Sequence, residues 1–391
     1  MQLMQSATLR RFGRTPVDRR VRRLLWFALR LWTAAIALSP IYLTSSGSVQ
    51  VADYVFLGVV ALVVLAGLAL SGRAQAGAIA LWVFVTYVAI VNSSWSLQLA
   101  AQFPFAGLPF GTTAFYVFNA LLVTAGLSLA SRDADRFIDA TRSGIQVAVS
   151  LNVIGLVAAG LSGGRETVFF NNPNQLGYFA VLAGAITVVV SNRKRAISDA
   201  LVLSACAVLA AASLSKAAMV AMLFSVAVLL LRGRIVLTLF VLLASASLVV
   251  TPFGDQLVSG ARDRLGSIGE DADDSLVGRG YDRLISSPHL AVLGAGEGAH
   301  SRFGSGSEFH SSPGTLLFAY GVFGTALFVT FLAAVWSFRS AWVWLAASPI
   351  LVYGLTHQGL RARLLWVFIA VGYALVQRRR ATVWPEDSSA A

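Results

Sequence analysis

Long apolar runs recur along almost the whole chain, and each is close to the length that crosses a lipid bilayer. A transmembrane α-helix needs about 20 predominantly apolar residues. The predicted spans are residues 24–43, 54–70, 76–97, 108–130, 143–161, 175–190, 197–213, 216–231, 234–252, 313–338, 341–356 and 361–377. With 57% hydrophobic and only 12% charged residues, the chain has more apolar surface than a soluble domain could bury. We therefore predict an all-α, polytopic transmembrane helical bundle of about 12 spans.

Basic residues cluster on one side of these spans, in the pattern that orients a membrane protein. Residues 1–23 hold seven arginines against one acidic residue, and most other lysines and arginines fall in segments on the same side. Cytoplasmic loops carry such an excess. This orientation accounts for the net charge of +12. We therefore expect membrane lipids as partners of the basic segments and no binding of nucleic acid. The orientation predicts the following order: a basic cytoplasmic segment (1–23), spans 1–9 (24–252), a large extracytoplasmic loop with short helices (253–312), spans 10–12 (313–377) and a cytoplasmic tail (378–391).

The large loop concentrates the ionisable side chains. It contains three of the four histidines, His289, His300 and His310. Ser275 is a suitable N-cap for a helix over 276–286, on which Arg279 and Arg283 would share one face. Two neighbouring guanidinium groups require anions, supplied either by the acidic run 270–274 or by a phosphate. That run lacks the spacing of a calcium-binding loop, and glycines 294–298 indicate a tight turn rather than a nucleotide site.

Two predicted helix starts face the same outer side. Ser312 as N-cap and Pro313 as the first helical residue would begin a helix directly after His310. The positive end of that helix favours an anion there and a neutral histidine that accepts a proton. Asn172 and Pro173 repeat the device, and the neighbouring amides of Asn174 and Gln175 suit sugar hydroxyls. The alternative is that these residues only start helices.

Further cations lie on the outer side of the predicted bundle. Lys216 falls in the very short connection between two spans, Arg165 precedes the asparagine-rich stretch, and Arg361 lies in the last outer turn. Each could contribute to an anion site. Each could equally extend its charge to the headgroup region from the end of a span.

The stretch Phe169–Gly177, with its Asn-Pro-Asn sequence, resembles the corresponding motif of the O-antigen ligase and O-antigen polymerase family. The loop resembles that family too, in the order of Arg279, Pro288, glycines 294–296 and His310 before the next span. The resemblance covers roughly residues 169–328; the first five spans match in hydropathy alone.

The resemblance implies a metal-independent glycosyltransferase of the bacterial inner membrane that needs no cofactor. Its donor would be an undecaprenyl-diphosphate-linked glycan at the periplasmic face, and its acceptor a glycan or lipid A-core. The family's essential histidine falls on His310 and its loop arginine on Arg279. A second family arginine falls on Lys216, which keeps the charge but lacks the forked donors of arginine. Further donor contacts would come from six residues: Arg283, Asn172, Asn174, Gln175, Arg165 and Arg361.

This chemistry agrees with the residue types. Cations would neutralise the departing diphosphate, while His310 would take the proton of the acceptor hydroxyl, and direct attack on the anomeric carbon predicts inversion. We expect a repeat-unit polymerase, with a ligase acting on lipid A-core as the alternative. A polysaccharide or lipid transporter is a further alternative, and it would carry ionisable groups at mid-membrane.

Overall fold

The computed structural model describes residues 16–45, 47–70, 72–103, 108–160, 164–249, 252–266, 275–303, 308–338 and 340–383. Within these ranges every regular element is a helix, which confirms the all-α prediction. The acidic run at 270–274 lies outside the described residues.

The α-helices within the described ranges follow one another closely. In chain order they are α1 (Pro16–Leu38), α2 (Val51–Leu65), α3 (Gly72–Leu99), α4 (Phe110–Arg132), α5 (Ala134–Ala159), α6 (Pro173–Val190), α7 (Ala196–Ala212), α8 (Lys216–Leu231), α9 (Ile235–Val249), α10 (Pro252–Gly266), α11 (Asp282–Ser286), α12 (Leu290–Leu293), α13 (Ser312–Ala319), α14 (Gly321–Trp336), α15 (Ala341–Ala346), α16 (Ser348–Gly354) and α17 (Arg363–Val383). Short 3₁₀ turns occur at Arg193–Arg195 and His300–Phe303.

Four of these helices, α3 to α6, are long and apolar enough to cross a membrane. Shorter apolar helices lie at other predicted spans, among them α2, α7, α8 and α14. The chain is therefore built as a helical membrane protein.

Helix α6 forms the centre of the bundle. Every residue from Leu176 to Val190 is buried, and α6 packs against α5, α7, α8 and α17. Inside a membrane such packing depends on small residues that let backbones approach. Gly177 shows this, because a Cβ there would lie 2.8 Å from Ser213 Oγ and 2.9 Å from Ala218 Cβ. The start of α6 is thus held tightly against the start of α8.

The predicted span 313–338 is in fact two helices, α13 and α14, which meet at Tyr320 and Gly321. Gly321 has φ +68°, a conformation that glycine adopts without strain. The carbonyls left open at the break are not unpaired. The N–H groups of Ala295 and Gly296 donate to the carbonyls of Phe318 and Ala319, each at 2.9 Å. The two donors belong to the large loop at 253–312, called the polar segment below. Its backbone therefore completes the hydrogen bonding of an apolar helix.

The predicted span 341–356 is likewise divided, into α15 and α16. Pro349 lies at the start of α16. Proline has no N–H to donate to the preceding turn and its ring crowds that turn, so a continuous helix is interrupted there.

Of the helix predicted over 276–286, only the last part is present, as α11. Ser275 Oγ accepts a hydrogen bond from the Gly278 N–H at 2.9 Å, which makes a local turn rather than a helix cap. Gly280 then has φ +84°, and the helix is limited to α11. Arg279 precedes this helix and Arg283 lies within it, so the two do not share a helix face.

Of the two N-caps predicted before proline, one is confirmed. Asn172 Oδ1 accepts from the Asn174 N–H at 2.8 Å, with Pro173 as the first residue of α6. The cap of α13 is Ser311, whose Oγ accepts from the Gly314 N–H at 3.1 Å, and not Ser312. The Ser312 hydroxyl instead bridges backbone groups of another segment, donating to the His357 carbonyl and accepting from the Gly359 N–H.

Candidate functional site

A cavity of about 440 Å³ lies where α6, α8 and α16 meet the polar segment. Four cationic side chains and two histidines line it: Arg165, Lys216, Arg264, Arg279, His310 and His357. Asn174 lies in the same wall. The fold therefore gathers five of the predicted site residues, Arg165, Asn174, Lys216, Arg279 and His310, although they span almost 150 positions of the sequence.

Arg279 and His310 are joined through their backbones. The His310 N–H donates to the Arg279 carbonyl at 3.2 Å. The Arg279 guanidinium is directed by a hydrogen bond from Nη1 to the Thr356 carbonyl at 2.6 Å. Tyr281, two residues on, hydrogen-bonds through its hydroxyl with the hydroxyl of Ser311 at 2.7 Å. These bonds hold the backbone of His310 beside that of Arg279 and direct the guanidinium group before any ligand binds.

Lys216 enters the cavity as the first residue of α8. The chain reverses direction between α7 and α8 through Leu214, which has φ +47°. The turn is closed by a hydrogen bond from the Ser215 N–H to Ser213 Oγ at 3.2 Å. The short connection seen in the sequence is therefore a tight turn that presents the lysine at the mouth of the bundle.

Arg165 and Asn174 form one unit in the cavity wall. The arginine donates through Nη2 to Asn174 Oδ1 at 2.5 Å and through Nε to the Ser213 carbonyl at 3.3 Å. Asn174 is held from the other side by the Tyr353 hydroxyl, which donates to its carbonyl at 2.7 Å. The Asn174 side-chain oxygen thus orients a guanidinium group.

The cavity favours an anion attached to an apolar group. None of the described residues that line it is acidic. Helices α6, α8 and α13 all begin at or beside it, and each helix N-terminus carries a partial positive charge. Apart from Ser215 and Thr356, the rest of the wall is apolar, formed by Leu214, Ala217, Val220, Val352 and Leu355.

Two ionisable lining residues were not predicted as part of the site. Arg264 comes from α10, and His357 follows α16. The His357 ring stacks on Tyr353 with centroids 4.4 Å apart, and its Nδ1 lies 3.0 Å from Thr356 Oγ1. Both residues fall in predicted outer segments, but nothing in the sequence alone indicates that those segments meet.

Four predicted site residues lie outside the cavity. Asn172 caps α6, and Gln175 lines a smaller neighbouring cavity together with Arg363. Arg283 is buried, with its guanidinium carbon 5.5 Å from the centre of the Phe303 ring. Arg361 is taken up by ion pairs with glutamates of the polar segment. The structure gives these four residues positions in the framework around the cavity.

The fully buried partner of Arg361 is Glu297, a carboxylate in the glycine-rich turn. It accepts hydrogen bonds from Arg361 Nε at 2.9 Å, from Tyr116 at 2.8 Å and from Tyr320 at 2.6 Å. Gln358 Nε2 adds a fourth, at 2.9 Å. Burial alone would raise the pKa of Glu297, but the charge of Arg361 and these hydrogen bonds hold it below its usual value. The ionised carboxylate of Glu297 therefore anchors the glycine-rich turn in the bundle.

The glycines of that turn are required by close packing, as the sequence indicated. Gly294 has φ +99°, and a Cβ there would lie 2.4 Å from the Ala319 carbonyl oxygen. Trp95 Nε1 donates to the Gly294 carbonyl at 2.9 Å. Only a residue without a side chain fits between helix and loop at this point.

No protein-family model matches the chain. No curated protein has a significantly similar sequence. Among the described residues, no three His, Cys, Asp or Glu side chains come together in a way that could hold a metal ion.

Proposed function

We propose that this chain is a membrane glycosyltransferase that moves an undecaprenyl-diphosphate-linked glycan to an acceptor hydroxyl at the periplasmic face of a bacterial inner membrane. One observation carries the proposal. A histidine, four cations and an apolar wall share one cavity at the mouth of a helical membrane bundle.

The cations match the leaving group of this reaction. When a sugar leaves a polyprenyl diphosphate, negative charge grows on the diphosphate oxygen. Arg279 and Lys216 would stabilise that charge together with Arg165 and Arg264, and preorganised donors of this kind contribute roughly 3–4 kcal/mol each to a transition state. The apolar wall suits the first isoprene units of the lipid.

His310 is the proposed general base. The acceptor oxygen attacks the anomeric carbon, the bond from that carbon to the diphosphate oxygen breaks, and its electron pair stays with the diphosphate. The acceptor proton passes to the imidazole of His310, a contribution of about 10²–10⁴-fold. A single displacement inverts the configuration at the anomeric carbon, and the proposed reaction uses no metal or other cofactor.

The proposed topology has about 12 spans, with both termini in the cytoplasm. It is supported by the ends of α8: Lys216 begins this helix at the cavity, while Arg232 and Arg234 follow its other end. Basic residues are enriched at cytoplasmic ends of spans, which makes the cavity end periplasmic.

The acceptor distinguishes two forms of this activity. A repeat-unit polymerase would pass the glycan to another lipid-linked unit, and we favour this form because of the Asn-Pro-Asn-Gln-Leu-Gly stretch at 172–177. A ligase would pass it to lipid A-core. Deletion of the gene separates them, since loss of a ligase leaves core without any chains, whereas loss of a polymerase leaves core with one repeat or removes a free exopolysaccharide.

The test is His310→Ala, compared with His289→Ala. His289 belongs to the same polar segment but is exposed and does not line the cavity. Each variant is expressed in the deletion strain, its membrane level is measured, and the surface glycan is separated by gel electrophoresis. We expect His310→Ala to abolish the long glycan at normal protein level and His289→Ala to leave it unchanged. Normal glycan in the His310→Ala strain would refute the proposal.

A further inference from the structure

A second cationic cavity, of about 200 Å³, lies far from the first. Three arginines line it: Arg232, Arg378 and Arg379, with Trp342 and Ser340 between them. It plays no part in the proposed transfer reaction. The arginines come from the end of α8, whose first residue lines the other cavity, and from the last turns of α17.

The length of helix α8 gives the distance between the two cavities. Lys216 is its first residue and Arg232 directly follows its last. Sixteen residues at 1.5 Å each give about 24 Å along the helix axis, which is most of the thickness of a bilayer's hydrocarbon core. The second cavity therefore lies at the opposite end of the bundle, where the chain's basic segments are concentrated.

The position of Arg232 is fixed by protein contacts. Its Nη1 donates to the Val188 carbonyl at 2.7 Å and to Ser191 Oγ at 3.1 Å, and its guanidinium carbon lies 4.5 Å from the centre of the Trp342 ring. Burial, together with the charges of Arg234 and Arg379, lowers the pKa of Arg232 to about 10. Positive charges are thus held close together in a partly desolvated place. A bound anion would offset their mutual repulsion.

The Trp342 indole adds a donor without an acceptor. Its Nε1 is buried and has no hydrogen-bond partner among the described residues. Burying an N–H group unsatisfied costs about 1–3 kcal/mol, so such groups in a cavity indicate a bound acceptor. An N–H donor beside three guanidinium groups matches the oxygens of a phosphate.

We propose that this second cavity binds a phosphate group, supplied either by the headgroup of an anionic phospholipid or by phosphate in solution. Arg232 and Arg379 contact the phosphate oxygens from two sides, and Trp342 Nε1 donates to a third oxygen. Two aspartates lie near the site, but their ion pairs leave the cavity with a net positive charge. Asp135 pairs with Arg378 at 3.0 Å on the exposed side, and Asp199 pairs with Arg142 at 3.3 Å.

The experiment measures binding of phosphatidylglycerol to the purified, detergent-solubilised full chain, by native mass spectrometry over a titration. Two variants alter the cavity gently: Arg379→Gln, at an exposed residue, and Trp342→Phe, which keeps a ring under Arg232 but removes the indole N–H. The matched control is Arg136→Gln. Arg136 lies at the same end, beside Asp135, with its side chain 72% exposed and paired with Asp133.

We expect each cavity variant to weaken phosphatidylglycerol binding by roughly tenfold, the scale of one lost charge-assisted hydrogen bond, and Arg136→Gln to leave it within about twofold. Competition with inorganic phosphate identifies the source: displacement at millimolar concentration indicates that phosphate alone is recognised, and no displacement indicates a lipid site. Phosphatidylglycerol binding that is equal in wild type and both cavity variants would overturn the proposal. The outcome does not depend on the glycosyltransferase activity.

Discussion

Replacing Glu297 with glutamine should strongly destabilise the protein, because this change removes the buried charge that pairs with Arg361. Glu297 is only 2% exposed, and its carboxylate accepts from Arg361, Tyr116 and Tyr320. In the variant, an amide NH₂ would face donors, and the guanidinium would lose its buried counter-charge. Breaking a buried ion pair by removing one partner costs about 3–5 kcal/mol.

The same arginine supplies a matched comparison. Arg361 also pairs with Glu308, whose side chain is 34% exposed. Solvent reaches part of the Glu308 side chain and screens this pair more than the Glu297 pair, so Glu308→Gln should cost about 1 kcal/mol or less. The two variants make the same chemical change on either side of one guanidinium group and differ mainly in burial.

The assay is thermal unfolding of the detergent-solubilised protein, followed by tryptophan fluorescence. An unfolding entropy of about 2.1 cal/mol/K per residue over 391 residues converts 3–5 kcal/mol into a fall in Tm of roughly 4–6 °C. Glu308→Gln should lower Tm by about 1 °C or less. Equal Tm values for the two variants would refute the assignment of Glu297 as the charged anchor of the glycine-rich turn.

Three further predictions follow from single positions. Gly294→Ala should cost several kcal/mol more than Gly67→Ala in the same unfolding assay, because both glycines have positive φ but only the Cβ at 294 would meet backbone; equal costs would contradict this. Burial and the Arg283 charge lower the pKa of His300 to about 4 from 6.5, so the unfolded chain binds a proton more readily between these values and stability falls as pH drops through that window. His300→Gln should remove up to about 2 kcal/mol of the loss between pH 6.5 and 5, and an unchanged pH profile would contradict the shift. In the glycan assay, Lys216→Arg should retain activity and Lys216→Gln should lose about 10²-fold or more, whereas an active glutamine variant would exclude the lysine from the site.

Hydrophobic run length and cap chemistry were sufficient to predict the helical class and the start of α6. Asn172 and Pro173 form a purely local device, in which a side chain caps its own helix, so sequence reasoning found it correctly. The cap of α13 was misassigned by one residue because both Ser311 and Ser312 are chemically suitable. The choice between them depends on the distant backbone of His357 and Gly359, which takes the Ser312 hydroxyl.

The break before Pro349 has a local cause, but the break at Gly321 and the shortening of the helix predicted over 276–286 depend on distant contacts. A helix break at Gly321 is stable only because Ala295 and Gly296 supply the missing donors, and this partner is far away in the sequence. Gly280 lies in the middle of the predicted helix, and its positive φ suits packing against Phe309. Hydropathy records none of these tertiary contacts.

The sequence predicted which kinds of residue form the site better than it predicted which individual residues meet there. His310, Arg279 and Lys216 do share a cavity. Arg361 does not line it, because it forms an ion pair with Glu297. The sequence does not show which cation pairs with a buried carboxylate. Arg264 was overlooked, although it lines the same cavity, because only folding brings α10 to the cavity.

The pairing of Ala295 and Gly296 with the carbonyls of Phe318 and Ala319 has a consequence for engineering. A polar segment that only connected two helices could be exchanged between related proteins as an independent module. Here the segment supplies part of a helix's own hydrogen-bond ladder, so grafting a foreign 253–312 sequence would leave unpaired carbonyls within the bundle. A working chimera must carry the break at 318–321 along with the segment that donates to it, so loop sequence and helix geometry would be inherited as one unit.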